Sequence, residues 1–553
     1  MKKTPFKPAA VLLCALLTLS GCGTQAVGEA SPSEITVTTV SAIDTASLFS
    51  DRDLDPTYDA STAVSIQLSG DSAVCDSDAV TIDGSQVIIG AEGVYLLSGI
   101  LTDGQIVVNA GENDKVQLVL SGADITSSTS AAIYALEADK VFITLAEETE
   151  NTLANGGTYT AVDENNIDAV IFAKTDLTLN GSGSLTINAA AGHGVVSKDI
   201  LEILLDHDEN TGGSYTIPSA SHGLSGKDSV AIAGGTFAIT AGKDGIHSEN
   251  SDDPTLGTLY IADGSFTIAA QGDAVSAEGA LQIDGGTFDL YTGDGSASVE
   301  LTSGSDPGQM GGPRGGGTAP AETPTAEAEE DTVSQKGIKA EGTFAVNNGT
   351  FTIDSVDDCL HGGGAMTIAA GTFTLSSGDD AVHCDAALTI RSGSFAIPYC
   401  YEGIEGLSIT IEDGIFDIVS SDDGLNAAGG ADGSGFGGFA AQEQDTFSTD
   451  SDSFILINGG LLTIVSTGDC VDSNGALTIN GGTLDLTCNG SGNTALDCDG
   501  TYTNNGGDVT TNDGSEQNPG QMGGGRGGGT GAPQSGGERP GRQTQQTQSP
   551  AGT

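Results

Sequence analysis

The stretch FTLSSGDDAVHCDAALTIRSGSF, from Phe373 to Phe395, repeats almost the wording of FTIDSVDDCLHGGGAMTIAAGTF, from Phe351 to Phe373. Each opens on a phenylalanine, reaches adjacent aspartates six and seven residues later, and meets a histidine at the tenth residue. Counted from successive aromatic or leucine anchors, the seventh position holds Asp244, Asp273, Asp358, Asp380, Glu402, Asp423 and Asp469, and the sixth holds Asp357, Asp379 and Asp422. Carboxylates crowded in this way repel one another unless a cation joins them. Hard oxygen donors in number suit Ca²⁺, which takes about 6 to 8 oxygen ligands at about 2.3–2.6 Å. Lys243, beside Asp244, is the main protein-borne counter-charge that the sequence offers at this edge. His247, His361 and His383 stand close enough to the acids to hydrogen-bond a ligand, and no Cys/His spacing has the pattern of a zinc site. The competing account is a column of turns in which each Asp bonds its own backbone, although a turn needs one Asp and not two.

The elements that must position these side chains follow from the period. Phe266 to Phe288, Phe351 to Phe373, Phe373 to Phe395 and Leu462 to Leu484 are each 22 residues apart, and Phe395 to Phe416 is 21. Between the anchors lie short alternating runs rich in β-branched residues, punctuated by Gly, Asn and Asp, with no sustained helical period. Three short strands and three turns per repeat predict a right-handed, single-stranded parallel β-helix with coils of about 22 residues. A leucine-rich repeat of similar length would need its own Leu-spaced consensus, which is missing. Roughly 15 to 19 coils stacked about 4.8 Å apart give a rod about 70–90 Å long. Phe237, Phe266, Phe351, Phe373, Phe395 and Phe416 then stack inside it as core, each worth about 1.5–3 kcal/mol through burial.

A formal charge of -59 over 553 residues, with 17 Lys and Arg against 76 Asp and Glu, excludes nucleic acid and an anionic lipid surface as direct partners. Cations and neutral or cation-bridged ligands remain. Residues 1–22 have a basic start, an apolar run and LSGC ending at Cys22, which resembles the lipobox of bacterial lipoproteins; Cys22 is the expected lipid attachment point. A flexible tether is expected over 23–48, the β-helix over 49–513, and a Gly/Pro/Gln-rich tail over 514–553. Gly-rich insertions near 295–333 and 427–452 are cut into coils, because the DG before the first and GIKA after it join into one turn phrase. Cys75, Cys359, Cys384, Cys400, Cys470, Cys488 and Cys498 form no small stapled scaffold, and burial as apolar side chains is expected for most.

The lipidated start, LFSDRDLDPTYD at Leu48 to Asp59, the GGTF-type coils with their DDGL turns and the PGQMGG insertions together resemble the clostridial secreted carbohydrate-binding domain family. The resemblance covers about Ile35 to Asp513 and implies a calcium-binding parallel β-helix, similar in fold to some pectate lyases, that binds cellulose or acidic pectic sugars. Carried onto this chain, the family's acidic turn pairs fall on Asp357, Asp358, Asp379, Asp380, Asp422 and Asp423. The expectation is a monomeric, lipid-anchored protein on the outer face of a bacterial cell membrane. It would bind polysaccharide through calcium at Asp357, Asp358, Asp379, Asp380, Glu402, Asp422, Asp423 and Asp244, with His361, His383 and Lys243 toward the sugar. Two alternatives stand beside it. One is a surface stalk or adhesin stiffened by calcium. The other is a calcium-dependent pectate lyase with Lys243, or less readily Lys198, Lys227, Lys336 or Lys339, as base. Replacing Asp379 and Asp380 together by Asn is expected to weaken calcium affinity at least about tenfold, ~1.4 kcal/mol, in isothermal titration. Identical isotherms for the two proteins would assign these residues to turn formation alone.

Overall fold

The computed structural model describes residues 41–160, 165–204, 212–301, 334–427 and 453–519. The leader with Cys22, most of the expected tether, the interiors of both insertions and most of the tail lie outside these residues.

One coil shows the plan. Thr372–Ser377 forms an aromatic face, Val382–Cys384 a short face and Ala387–Ile390 a third face, after which the chain returns to the aromatic face at Ser394–Tyr399. Each strand pairs in parallel with its counterpart one coil on, so that Phe373 meets Phe395, Val382 meets Ile404 and Leu388 meets Ile409. The fold is therefore a parallel β-helix. The short strands form a 15-stranded sheet, about 70 Å from end to end at the usual strand spacing, the lower end of the expected length. The other two faces join into a 30-stranded sheet, because the long strand Lys115–Ser127 pairs with both Lys140–Leu145 and Glu150–Asn155. At the N-terminal end, antiparallel pairing of Val64–Gly70 with Ser72–Val74 and of Val80–Asp83 with Gln86–Ile89 departs from the parallel pattern. Such pairing blunts an edge that would otherwise recruit another chain.

Strand alternation sends one set of side chains inward, and the coil spacing then aligns equal residues. Tyr215, Phe237, Phe266, Phe288, Phe351, Phe373, Phe395 and Phe416 stack with ring centroids 4.5–5.1 Å apart and planes within 12° of parallel. All are buried. The Gly that precedes each ring has a geometric cause. Gly371 has φ +140°, and a Cβ there would lie 2.8 Å from the Phe373 ring. Inward Cys359, Cys384, Cys400, Cys470 and Cys488 are buried free thiols, as expected.

The insertions enter at different corners. The first leaves the aromatic face after Thr287–Thr292 and rejoins at Ile338–Ala340, which continues the short-face ladder beyond Val275–Ala277. The second lies between the short strand Leu425–Ala427 and the third-face strand Phe454–Ile457.

The expected tether ends earlier than residue 48. The amides of Ala42 and Ile43 donate to Gln282 Oε1, Phe49 packs 6.4 Å from Tyr260, and Asp53 reaches Lys140 Nζ at 2.7 Å and Thr178 Oγ1 at 2.8 Å. Arg52 donates to Gln117 Oε1 at 2.6 Å. The segment thus runs along the third face against the order of the coils, pinned by a buried Asp53–Lys140–Glu202 cluster. This accounts for the charged SDRDLD wording, which packing alone would not require.

Truncating one ring of the ladder leaves a void that neighbouring coils, held in hydrogen-bonded register, cannot fill. Phe373→Ala is expected to destabilise the fold by about 3–5 kcal/mol, read from the urea midpoint. A change under about 0.5 kcal/mol, the range of a surface substitution, would show that the ladder is not the interior support.

Candidate functional site

The corner between the aromatic and short faces carries the acids, and the backbone explains why. The amides that follow the seventh-position residues bond the carbonyls of the same position one coil on: Gly245 to Asp273, Cys359 to Asp380, Ala381 to Glu402, and Gly424 to Asp469. His193, His222, Asp244, Asp273, Lys336, Asp358, Asp380, Glu402, Asp423 and Asp469 therefore form one column.

Within it the side chains form a second ladder. Asp244 Oδ1 accepts the N–H of Asp273 at 2.9 Å, Asp273 Oδ1 that of Lys336 at 2.7 Å, Asp358 Oδ1 that of Asp380 at 3.1 Å and Asp380 Oδ1 that of Glu402 at 3.2 Å. Asp423 Oδ1 and Asp469 Oδ1 serve the amides of Asp469 and Thr494. At the start of the column, His193 and His222 do the same with Nδ1, at 3.3 and 3.2 Å. Each acceptor satisfies a backbone donor at a corner where no strand partner is present. Lys336 cannot accept, and there the adjacent carboxylate substitutes: Asp357 Oδ1 takes the N–H of Asp358 at 2.9 Å. The competing turn account was thus half right. The aspartate bonds backbone, but on the next coil.

A neighbouring column, three residues on, uses the second carboxylate oxygen. Asp244 Oδ2 lies 2.8 Å from His247 Nδ1, Asp358 Oδ2 2.9 Å from His361 Nδ1, and Asp380 Oδ2 3.1 Å from His383 Nδ1. His383 also meets Glu405 at 2.8 Å and Asp385 at 3.0 Å. His361 and His383 stack at 5.0 Å and are 7% and 1% exposed. The expectation that they reach toward a sugar is corrected: outward-pointing imidazoles are consumed by the acid column and covered. The expectation that Lys243 is the main counter-charge is corrected too. Lys243 is exposed, whereas the buried Lys336 ammonium sits 2.7 Å from both Asp357 and Asp358 and supplies the counter-charge.

Charge balance differs along the column. Burial would raise Asp358, but Lys336 and His361 hold it well below the usual carboxylate range, and His222 and His247 do the same against burial at Asp244. Burial lowers His193 to about 3 and also lowers His222, which keeps Nδ1 free to accept. Beyond Asp358 cations run short. Burial and Asp379 push Asp380 well up, burial and Glu405 do so for Glu402, and burial and Asp472 for Asp423. Burial, with neighbouring carboxylates, takes Asp469 to about 6 and Asp472 to about 7.

Among the described residues, four groups bring ligand atoms within 4.8 Å of one another: Asp357, Asp358 and Asp379; Asp380, His383 and Glu405; His222, Asp244 and His247; and Asp469, Asp472 and Asp497. The expected Glu402, Asp422 and Asp423 join none of them; Asp422 Oδ2 accepts the Tyr401 hydroxyl at 2.7 Å, and the Glu402 carboxylate accepts from Asn426 Nδ2 at 2.9 Å. His222, Glu405, Asp472 and Asp497 were missed. A signal for Glu405 and Asp472 existed, since acid-x-x-polar recurs as EGIE, DGLN and DCVD.

These shifts set a sign for pH. Asp273, Asp469 and Asp472 have folded pKa values above their unfolded ones, so their stabilising contribution is complete below about 4 and lost as pH rises through about 6–7, and Asp380, Glu402 and Asp423 are shifted in the same direction. His193 and His222 oppose this below about 6.5, but they are fewer. In chelator, the thermal midpoint is expected to rise as pH falls from 7.5 to 5.5. A falling midpoint over that interval would overturn the charge assignment.

A model of the family described as carbohydrate-binding domain-containing protein matches residues 83–381 and 381–519. A protein of that description from Acetivibrio thermocellus is 36% identical over 142 residues, 25% of this chain and 47% of the relative, so the chain spans about half the length of the relative. A solved structure of a polysaccharide lyase-like protein from C. thermocellum, a gadolinium derivative, is 35% identical, with a TM-score of 0.37 over 40% of this chain and 87% of the other. With its repeated coils covered almost end to end by the family pattern, this chain belongs to the carbohydrate-binding domain-containing protein family.

Proposed function

We propose that this protein is a lipid-anchored surface protein, attached through Cys22, that binds plant cell-wall polysaccharide, acidic or cellulosic, with calcium held along the stacked acid edge. The observation that carries the calcium part is the charge deficit from Asp380 onward, where buried carboxylates outnumber nearby cations. The donor sets are consistent with it. Asp469, Asp472 and Asp497 offer oxygen alone, and Asn426, in register with Asp472, has a buried Oδ1 with no hydrogen-bond partner. At Asp357, Asp358 and Asp379 a cation would compete with Lys336, so the C-terminal group is the better holder.

A divalent ion on this edge reverses the local sign and lets a protein of charge -59 meet a polyuronate. Repetition along the rod then adds weak contacts on one polymer. Against the lyase alternative, carboxylates hold Lys227, Lys336 and Lys339 charged, the reverse of what proton abstraction requires. The stalk alternative draws on the side-chain ladder, which stiffens the corner without a sugar. Retention on polygalacturonate beads with calcium, and release by chelator, is the expected outcome. Retention unchanged by chelator would remove calcium from the reading, and a calcium-raised melting point without retention on any polysaccharide would favour the stalk.

A further inference from the structure

The aromatic face also has an outside. Strand pairing aligns Pro218, Thr240, Ala269 and Tyr291 in one outward column, and Thr216, Ala238, Thr267 and Asp289 in the column beside it. Together they line a shallow groove of about 310 Å³. Tyr291 is 42% exposed, whereas the stacked aromatic rings inside the coils are buried. Its neighbour one coil back is only Ala269, so one side of the ring is not built over. Behind it the chain turns tightly through Gly295, φ +74°, where a Cβ would lie 2.7 Å from the ring. That turn is held to the next coil by the N–H of Ser296, which donates to Asp354 Oδ1 at 2.7 Å. The ring is therefore backed by a fixed turn and stands as an end wall.

We infer that this groove is a second glycan site, distinct from the acid edge, that takes an extended neutral hexose chain without calcium. Four features select that ligand. The three coil steps from Pro218 to Tyr291 span about 14 Å, and a coil step is close to the length of one pyranose unit in an extended chain. Tyr291 offers a face for the apolar side of a sugar ring. Thr216, Thr240 and Thr267 present hydroxyls in coil register, and Asp289 an acceptor for sugar hydroxyls. The lining has no Lys or Arg, so Asp289 leaves it complementary to a neutral chain and repulsive to a polyuronate. The inference rests on the carbohydrate-binding reading but not on its calcium component.

The test uses cellohexaose in chelator, by titration calorimetry, with calcium-dependent retention on polygalacturonate measured in parallel on the same full-length proteins. Tyr291→Ala and, separately, Ala269→Leu, which fills the groove from an exposed position, are each expected to weaken cellohexaose binding at least about tenfold, while Tyr291→Phe stays within about twofold. Retention on polygalacturonate is expected to be unchanged in all three. Wild-type affinity in both Tyr291→Ala and Ala269→Leu overturns the groove. A wild-type protein that ignores cellohexaose but holds polygalacturonate also overturns it and leaves the carbohydrate-binding reading standing. A wild-type protein that holds neither overturns both.

Discussion

The parallel hydrogen bonding between successive coils is the constraint on which everything else depends. Once strands stack at the ordinary interstrand spacing, every position in the repeat becomes a column, and like side chains must lie about 5 Å apart. For phenylalanine this spacing is favourable, since ring centroids 4.5–5.1 Å apart fill the interior without voids. For carboxylates it is unfavourable, and the molecule answers differently at different heights. Where His222, His247 and Lys336 are at hand, Asp244 and Asp358 stay ionised. Where carboxylates outnumber such groups, as around Asp380, whose imidazole partner is His383, and at Glu402 and Asp423, burial and neighbouring acids drive the carboxyls toward the protonated form.

The acid column is thereby framework, whatever its proposed cation site holds. One oxygen of each aspartate is committed to the backbone of the next coil, which explains why the residue recurs even where no cation is within reach. The second oxygen is what varies in use, bonding an imidazole, an ammonium or nothing beyond other carboxylates. Asn would keep the backbone acceptor but lose the charge. The ladder tolerates His at its start because a neutral imidazole offers the same lone pair.

The three faces are unequal surfaces. The third face of the early coils is covered by the segment from Ser41 to Pro56, tied down at Asp53. The short face is crowded with its own ion pairs. The outside of the aromatic face carries mostly Thr, Ser, Ala and Asp in register, interrupted by Tyr291 and, further along, by exposed Ile415, Val419 and Leu461.

The period, the inward phenylalanines and the acid column were legible in the residues, because a repeat of 22 converts sequence spacing directly into spatial neighbours. The first insertion was legible as a break in the period, and the short-face ladder resumes across it at Ile338, but Lys336 and not Asp294 takes the corner before Gly337. What counting could not show was the third dimension of each column. That Lys336 points into the Asp357–Asp358 pair while Lys243 points to solvent depends on which side of a corner each Cβ lies. That His361 and His383 are buried depends on neighbours brought from adjoining coils, Glu405 among them. That Asp53 seals a cluster with Lys140 and Glu202 joins residues 87 and 149 positions apart, a contact with no periodic signature. Sequence alone determined what repeats with the backbone ladder. Tertiary structure decided how each side chain's remaining polar atoms are shared between coils, because that depends on direction and burial, which spacing along the chain does not encode.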